Sequence, residues 1–187
     1  VESVNIKLGK DLSVFTLQKI SEMVEHAQLD SKEIDKIIVV NGPGSFTGIR
    51  IGVTFSKIYA YSLKKNISTI SSLQAMALSS KKDTDYKIPV IDARRDYVYA
   101  AIYDKENIPI LKEQYLSREA LLCAIDNLPG EYSVITNDEI EMDHLEEYTP
   151  NFAKIIDTYK EKEEENPHAV NPNYLKLTEA EEKQNVG

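Results

Sequence analysis

Apolar residues fall at helical spacing from Asp11 to Ala27, at Leu12, Phe15, Leu17, Ile20, Met23, Val24 and Ala27. Placed at about 100° per residue they span an arc of roughly 200°, wider than one contact with a core needs. A turn with a short helical piece is expected over 29–35, and the apolar run from Lys36 to Val40 reads as a buried strand. Thr47 to Leu63 predicts a second helix, apolar or small around most of its circumference and polar only at Arg50, Thr54 and Lys57. A helix of that kind is expected to be covered on two sides. Within it Gly48, Gly52, Ser56 and Ala60 form a row of small side chains along which another helix can approach closely. Glycine inside a helix costs about 0.5–1 kcal/mol relative to alanine, so close packing is a motive for Gly52. The packing partner is either this chain's own first helix or sheet, or another subunit.

Asn66 to Ile70 reads as a strand, and Ser71-Ser-Leu-Gln74 fits a capping box that opens a helix over Ser72–Leu78. The polar loop Lys81–Asp85 is the expected boundary between an N-terminal lobe (1–84) and a C-terminal lobe (85–187). Strands are expected over 87–92 and 96–103, joined by a turn at Arg94-Arg95. Val98, Ala100 and Ile102 alternate there with Tyr97, Tyr99 and Ala101, so both faces are expected to be covered. A helix over 117–125, a strand over 132–136 and a helical segment over 150–160 follow. The charge run 160–165 reads as a solvated helix end or loop. Pro167 and Pro172 hold the next stretch extended, and the polar tail from Thr178 reads as a helix end or a disordered end.

Composition narrows the possibilities. The 187 residues suffice for one compact domain or two small lobes. No apolar run approaches the roughly 18 residues of a membrane helix, so no membrane association is expected. No secretory signal opens the chain, and the single cysteine, Cys123, forms no internal disulfide. The expected compartment is the cytoplasm. The chain begins without methionine, so an N-terminal piece is expected to be missing. The net charge of −9 argues against a broad nucleic-acid footprint, which needs clustered Lys and Arg. Any role in RNA chemistry is therefore expected to be indirect. The eleven tyrosines could stack on bases, but at this charge core and interface roles are preferred. His26, His144 and His168 lie far apart, no His-x-x-x-His or Cys-x-x-Cys spacing exists, and neither a zinc site nor any other cofactor is expected.

The run Asn41-Gly-Pro-Gly-Ser-Phe-Thr-Gly-Ile-Arg50 joins the strand to the second helix, as a tight loop in an α/β protein would. Such a loop can place backbone N–H groups around a phosphate. Its glycines fit neither Gly-x-Gly-x-x-Gly nor Gly-x-x-x-x-Gly-Lys-Ser/Thr, and no lysine follows. Turn geometry is the preferred reading of Gly42, Pro43, Gly44, Ser45 and Thr47. Pro43 fixes φ, and Gly42 and Gly44 permit positive φ. A phosphate-binding protein using Gly42–Gly48 is the alternative. Asp92, Arg94 and Arg95 read as a hairpin tip with a local salt bridge, or as a polar contact to a partner.

The stretch Gly42-Pro-Gly-Ser-Phe-Thr-Gly-Ile-Arg-Ile-Gly52 resembles the signature of the bacterial TsaB (YeaZ) family. Ile70-Ser-Ser-Leu-Gln-Ala-Met76, Ile91-Asp-Ala-Arg-Arg-Asp-Tyr-Val-Tyr99 and Asn171-Pro-Asn-Tyr-Leu-Lys176 resemble further segments of that family, in order and spacing. The resemblance implies a two-lobed α/β fold of the actin/Hsp70/sugar-kinase (ASKHA) type, with mixed sheets flanked by helices. It implies a non-catalytic scaffold and activator for a TsaD-type paralogue, joined by a TsaE-type ATPase, in making N6-threonylcarbamoyladenosine at tRNA adenosine 37. The tRNA would be met only through the complex. The first two helices of each paralogue would pack together, which makes Leu12, Phe15, Thr16, Lys19, Ile20, Gly48, Gly52, Ser56 and Ala60 the expected interface. The same helices could support a homodimer when the chain is alone. Relatives of this family have been described as glycoproteases, but a peptidase needs clustered ligands or a nucleophile beside a base. Cys123, in Leu121-Leu-Cys-Ala124, reads as an inert core thiol. The family also opens with strands ahead of the first helix, and those strands are expected to be absent from this chain.

Overall fold

The structure is a computed structural model that describes residues 3–5, 12–162 and 165–176. In chain order the elements are α1 (Leu12–His26), a 3-10 turn (Ser31–Glu33), β1 (Lys36–Val40), α2 (Phe46–Leu63), β2 (Asn66–Ile70), α3 (Ser72–Leu78), β3 (Tyr86–Asp92), β4 (Tyr97–Asp104), β5 (Pro109–Ser117), α4 (Arg118–Asp126), β6 (Tyr132–Thr136), β7 (Leu145–Glu147) and α5 (Phe152–Tyr159). The helix starts follow from local chemistry. Ser45, Ser71, Ser117 and Asn151 each accept a first-turn N–H through a side-chain oxygen, at α2, α3, α4 and α5.

Two compact units emerge. Among the described residues, the first draws on the chain up to Asn41, Ser45–Ile70 and the return from Asn151 to Pro172, and the second on Gly42–Gly44, Ser71–Pro150 and 173–176. The division thus falls after Ile70 rather than in the polar loop Lys81–Asp85, and the segment from Asn151 returns to the first unit.

In the first unit β1 and β2 pair in parallel, from Lys36↔Asn66 to Val40↔Ile70. Val39, Ile49, Val53, Ala60, Ile67 and Val170 form its core. The returning segment is fastened by lysines and one glutamate. Lys36 Nζ donates to the carbonyls of Tyr159 at 3.1 Å, Lys160 at 3.2 Å and Lys162 at 2.6 Å. Lys57 Nζ donates to the carbonyls of His168 at 3.2 Å and Val170 at 2.8 Å. Lys57 therefore binds chain rather than facing solvent. The charge run is solvated over 160–162 at the end of α5, as expected, and Glu165 is its exception. Its carboxylate accepts the Thr69 N–H at 2.9 Å and the Thr69 hydroxyl at 2.6 Å, and its own N–H donates to the Ile67 carbonyl at 2.8 Å. The expected tail from Thr178 lies outside the described residues.

In the second unit five strands run in the order β5-β4-β3-β6-β7. The β3–β4 and β4–β5 pairs are antiparallel, and β3–β6 and β6–β7 are parallel. One sheet face packs Ile88, Val90, Val98, Ala100, Ile102 and Val134 against Leu121 and Ile125 of α4. The other packs Ala101, Tyr103 and Ile135 against Leu73, Met76 and Ala77 of α3. Cys123 is exposed, not a core thiol, because α4 turns Leu121 and Ile125 to the sheet and carries Cys123 to the opposite side. Buried Glu146 ties β7 to the chain after α3, accepting the Ser80 hydroxyl at 2.7 Å and the Lys81 N–H at 2.6 Å. The turn from β3 to β4 holds Arg94, Arg95 and Asp96 in the left-handed region, with φ of 67°, 55° and 58°. That conformation costs a non-glycine residue about 1–2 kcal/mol.

Candidate interaction surface on the first unit

Among the described side chains of α1, from Phe15 on, none is buried. Phe15 and Leu17 are 38% and 48% exposed, and Thr16, Lys19, Ile20, Met23 and Val24 are half-buried. The side chain of Leu12 lies outside the described residues. Lys19 pairs with Glu22 at 2.5 Å, and this ammonium, helped by a hydrogen bond from Gln18, holds the Glu22 carboxyl below its usual range. The helix packs on α2, but that contact leaves its wide apolar arc incompletely covered.

The faces of α2 follow from its pitch. Ile49, Val53 and Ala60 point to the core. A row at every fourth residue drifts by about 40° per step on a helix of 3.6 residues per turn. Gly48 therefore starts well round from the core direction, and three steps later Ala60 has turned into it. Ala60 is 0% exposed. It belongs to this unit's own packing and presents nothing to a partner, a correction to the expected row. Gly48, Gly52 and Ser56 are half-buried, and a Cβ built on Gly52 would meet nothing within 4 Å. Among the described residues, close packing is therefore not what makes residue 52 a glycine. The expectation that α2 is covered on two sides holds for the sheet side and for the flank closed through Lys57. Along the strip through Gly52, beside half-buried Ile51, Phe55 and Tyr59, the described residues give only partial cover.

Further apolar groups of α2 face outward: Phe46, Ile58 and Tyr61, with Ile58 57% exposed. The Arg50 guanidinium sits 3.9 Å from the Phe46 ring centroid. Helical spacing alone did not single out these positions, since they read as part of an apolar circumference.

The glycine run is built for geometry. Gly42 and Gly44 have φ of 116° and 146°, and the Gly42–Pro43 peptide is cis. Gly42 and Pro43 are buried, and the Gly42 carbonyl accepts the Ser72 N–H at 2.7 Å. Ser45 Oγ accepts the Gly48 N–H at 3.3 Å as the cap of α2, and Thr47 is exposed. The groups of the loop thus hold it in place and start a helix. Among the described residues, no group of three or more His, Cys, Asp or Glu side chains is arranged to hold a metal ion, and no helix is long and apolar enough to cross a membrane.

Comparison with known proteins places this arrangement. Residues 10–152 match the model of the family described as TsaD, tRNA N6-adenosine threonylcarbamoyltransferase. The chain is 29% identical to the tRNA threonylcarbamoyladenosine biosynthesis protein TsaB of Bacillus subtilis (strain 168), over 94% of this chain and 84% of that protein. It is 27% identical to the protein of the same name from Buchnera aphidicola subsp. Acyrthosiphon pisum, over 73% of this chain and 65% of that one. Among solved structures, YeaZ from Pseudomonas aeruginosa superposes with a TM-score of 0.69 at 19% identity, covering 87% of this chain and 84% of the other. A second Pseudomonas aeruginosa structure, of a protein described as similar to peptidase YeaZ, has the same TM-score of 0.69. These likenesses show the fold: helices flanking a mixed sheet, of the ASKHA type.

Proposed function

The chain belongs to the TsaB (YeaZ) family, within the wider family of the tRNA N6-adenosine threonylcarbamoyltransferase TsaD, and from that premise we propose that it serves tRNA threonylcarbamoyladenosine biosynthesis as a non-catalytic subunit. It binds a TsaD-type paralogue through α1 and the adjoining side of α2, and a TsaE-type ATPase joins that pair. The chemistry then belongs to the partner, and tRNA is modified in the complex. Alone, the same surface pairs two copies of this chain.

The observation that carries this reading is the space at Gly52, where, among the described residues and apart from the helix's own nearby backbone, nothing lies within 4 Å of a built Cβ. Helix α1, which packs on α2, leaves Phe15 and Leu17 exposed. A mid-helix glycine is unfavourable by about 0.5–1 kcal/mol relative to alanine unless something needs the close approach. Among the described residues of this chain nothing does. An incoming helix would use the gap at Gly52 and cover the apolar side chains beside it. Activation requires that this subunit prefer the competent state of its partner, since binding shifts a conformational equilibrium only through differential affinity.

Gly52→Leu tests the reading. Room beside residue 52 is shown for a Cβ, so thermal melting first establishes that the variant is folded. Its dissociation constant for the TsaD-type partner is expected to rise at least tenfold by calorimetry. An unchanged constant in a folded variant would refute the assignment of this face.

A further inference from the structure

Arg94, Arg95 and Asp96 follow one another at left-handed φ, and all three are exposed. Glycine would take this turn without strain, so the side chains held there do something that glycine cannot. The carboxylates around them are engaged. Asp92 Oδ1 accepts the Arg94 N–H at 3.0 Å, Asp138 Oδ2 accepts the Asp92 N–H at 2.7 Å, and Asp96 Oδ1 pairs with the Arg118 guanidinium at 3.1 Å. The guanidiniums of Arg94 and Arg95 have no acceptor among the described residues.

An aromatic platform adjoins the turn. The Tyr97 N–H donates to the Arg94 carbonyl at 3.1 Å and the Tyr97 carbonyl accepts the Ala93 N–H at 2.9 Å, which joins ring and turn closely. Tyr97 and Tyr99 share one sheet face, and Tyr115 stands opposite Tyr99 on β5. The Tyr97 and Tyr115 rings stack at 4.8 Å with 14° between planes, and Tyr99 lies 5.6 Å from Tyr115. Lys176 Nζ sits 5.0 Å from the Tyr115 centroid. Tyr97 nonetheless remains 40% exposed. An exposed ring on a stack, beside two guanidiniums that meet no acceptor among the described residues and an ammonium, supplies the two things an unpaired nucleic-acid strand requires: a π-face for a base and cations for its phosphates.

We infer that this corner of the second unit is a contact for a single-stranded stretch of RNA, with a base on Tyr97 and its flanking phosphates at Arg94 and Arg95. The net charge of −9 rules out a broad basic footprint, so the contact is local. An acidic protein segment would use the guanidiniums but leave the stack idle. The choice of RNA rests on the tRNA pathway proposed above, and partner assembly is scored separately so that the two ideas fail separately.

The test is a fluorescence-anisotropy titration of the full chain against a labelled, unmodified tRNA transcript at several salt concentrations. Light scattering on the same proteins mixed with a TsaD-type partner runs in parallel. The double variant Arg94→Gly, Arg95→Gly keeps the turn without strain. It is expected to bind the transcript at least tenfold more weakly, with the slope of log K against log salt reduced by about 2. Tyr97→Ala is expected to weaken binding about fivefold or more, and Tyr97→Phe, which keeps the ring, to restore it. Wild-type chain that does not bind the transcript at low salt would overturn the inference. So would a double variant with unchanged affinity and slope, or variants that lose partner assembly while binding RNA normally. Failure of the wild-type chain to join the partner would sink the functional proposal and leave the RNA titration decisive for this one.

Discussion

At Gly52 a methyl group would enter empty space, whereas Gly42 and Gly44 hold φ angles that side chains resist. The first glycine is dispensable to the isolated fold and the other two are not. Gly52→Ala is therefore expected to stabilise the isolated chain by about 0.5–1 kcal/mol, measured by urea denaturation, through the better helix propensity of alanine. The same substitution is expected to weaken partner binding, because it fills part of the gap. A loss of stability would mean that residue 52 packs internally after all. Ala60, one member of the same small-residue row, shows the opposite case, since it is wholly enclosed by its own unit.

At the scale of elements, carboxylates do much of the tethering. Glu146 is buried and accepts from the Ser80 hydroxyl and the Lys81 backbone. Glu146→Ala would leave both donors without their acceptor, and a loss of about 2–3 kcal/mol is expected in urea denaturation. A change within about 0.5 kcal/mol would show that the link between β7 and the chain after α3 is immaterial. This tether was invisible in the sequence, where Glu146 is one acidic residue among many. Elements with a strong internal period were legible: α1, α2, β1, β2, α3, β3, β4, α4, β6 and α5 all fall close to their expected positions. The two edge strands were not. β5 is exposed or half-buried along its length, starts at Pro109 and carries Lys112, Glu113 and Gln114, so it shows no clean alternation. β7 has only three residues. The glycine run and its capping serine could be read directly, because positive φ and a helix start have specific residue requirements. The outward side of α2 could not, because an apolar circumference does not say which part the chain itself covers.

At the scale of the molecule, the first unit secures one flank of α2 with the segment returning from α5 and, among the described residues, leaves the Gly52 strip half-covered with room beside Gly52. The second unit closes a five-stranded sheet between α3 and α4. On the function proposed above, a paralogue completes this subunit, and its influence on the reaction is exerted through that paralogue's conformation. Light scattering after size exclusion, on the chain alone and mixed with its cognate TsaD-type protein, tests this most directly. The account predicts a heterodimer peak that replaces a self-associated one. Two proteins eluting separately at concentrations of tens of micromolar would contradict it.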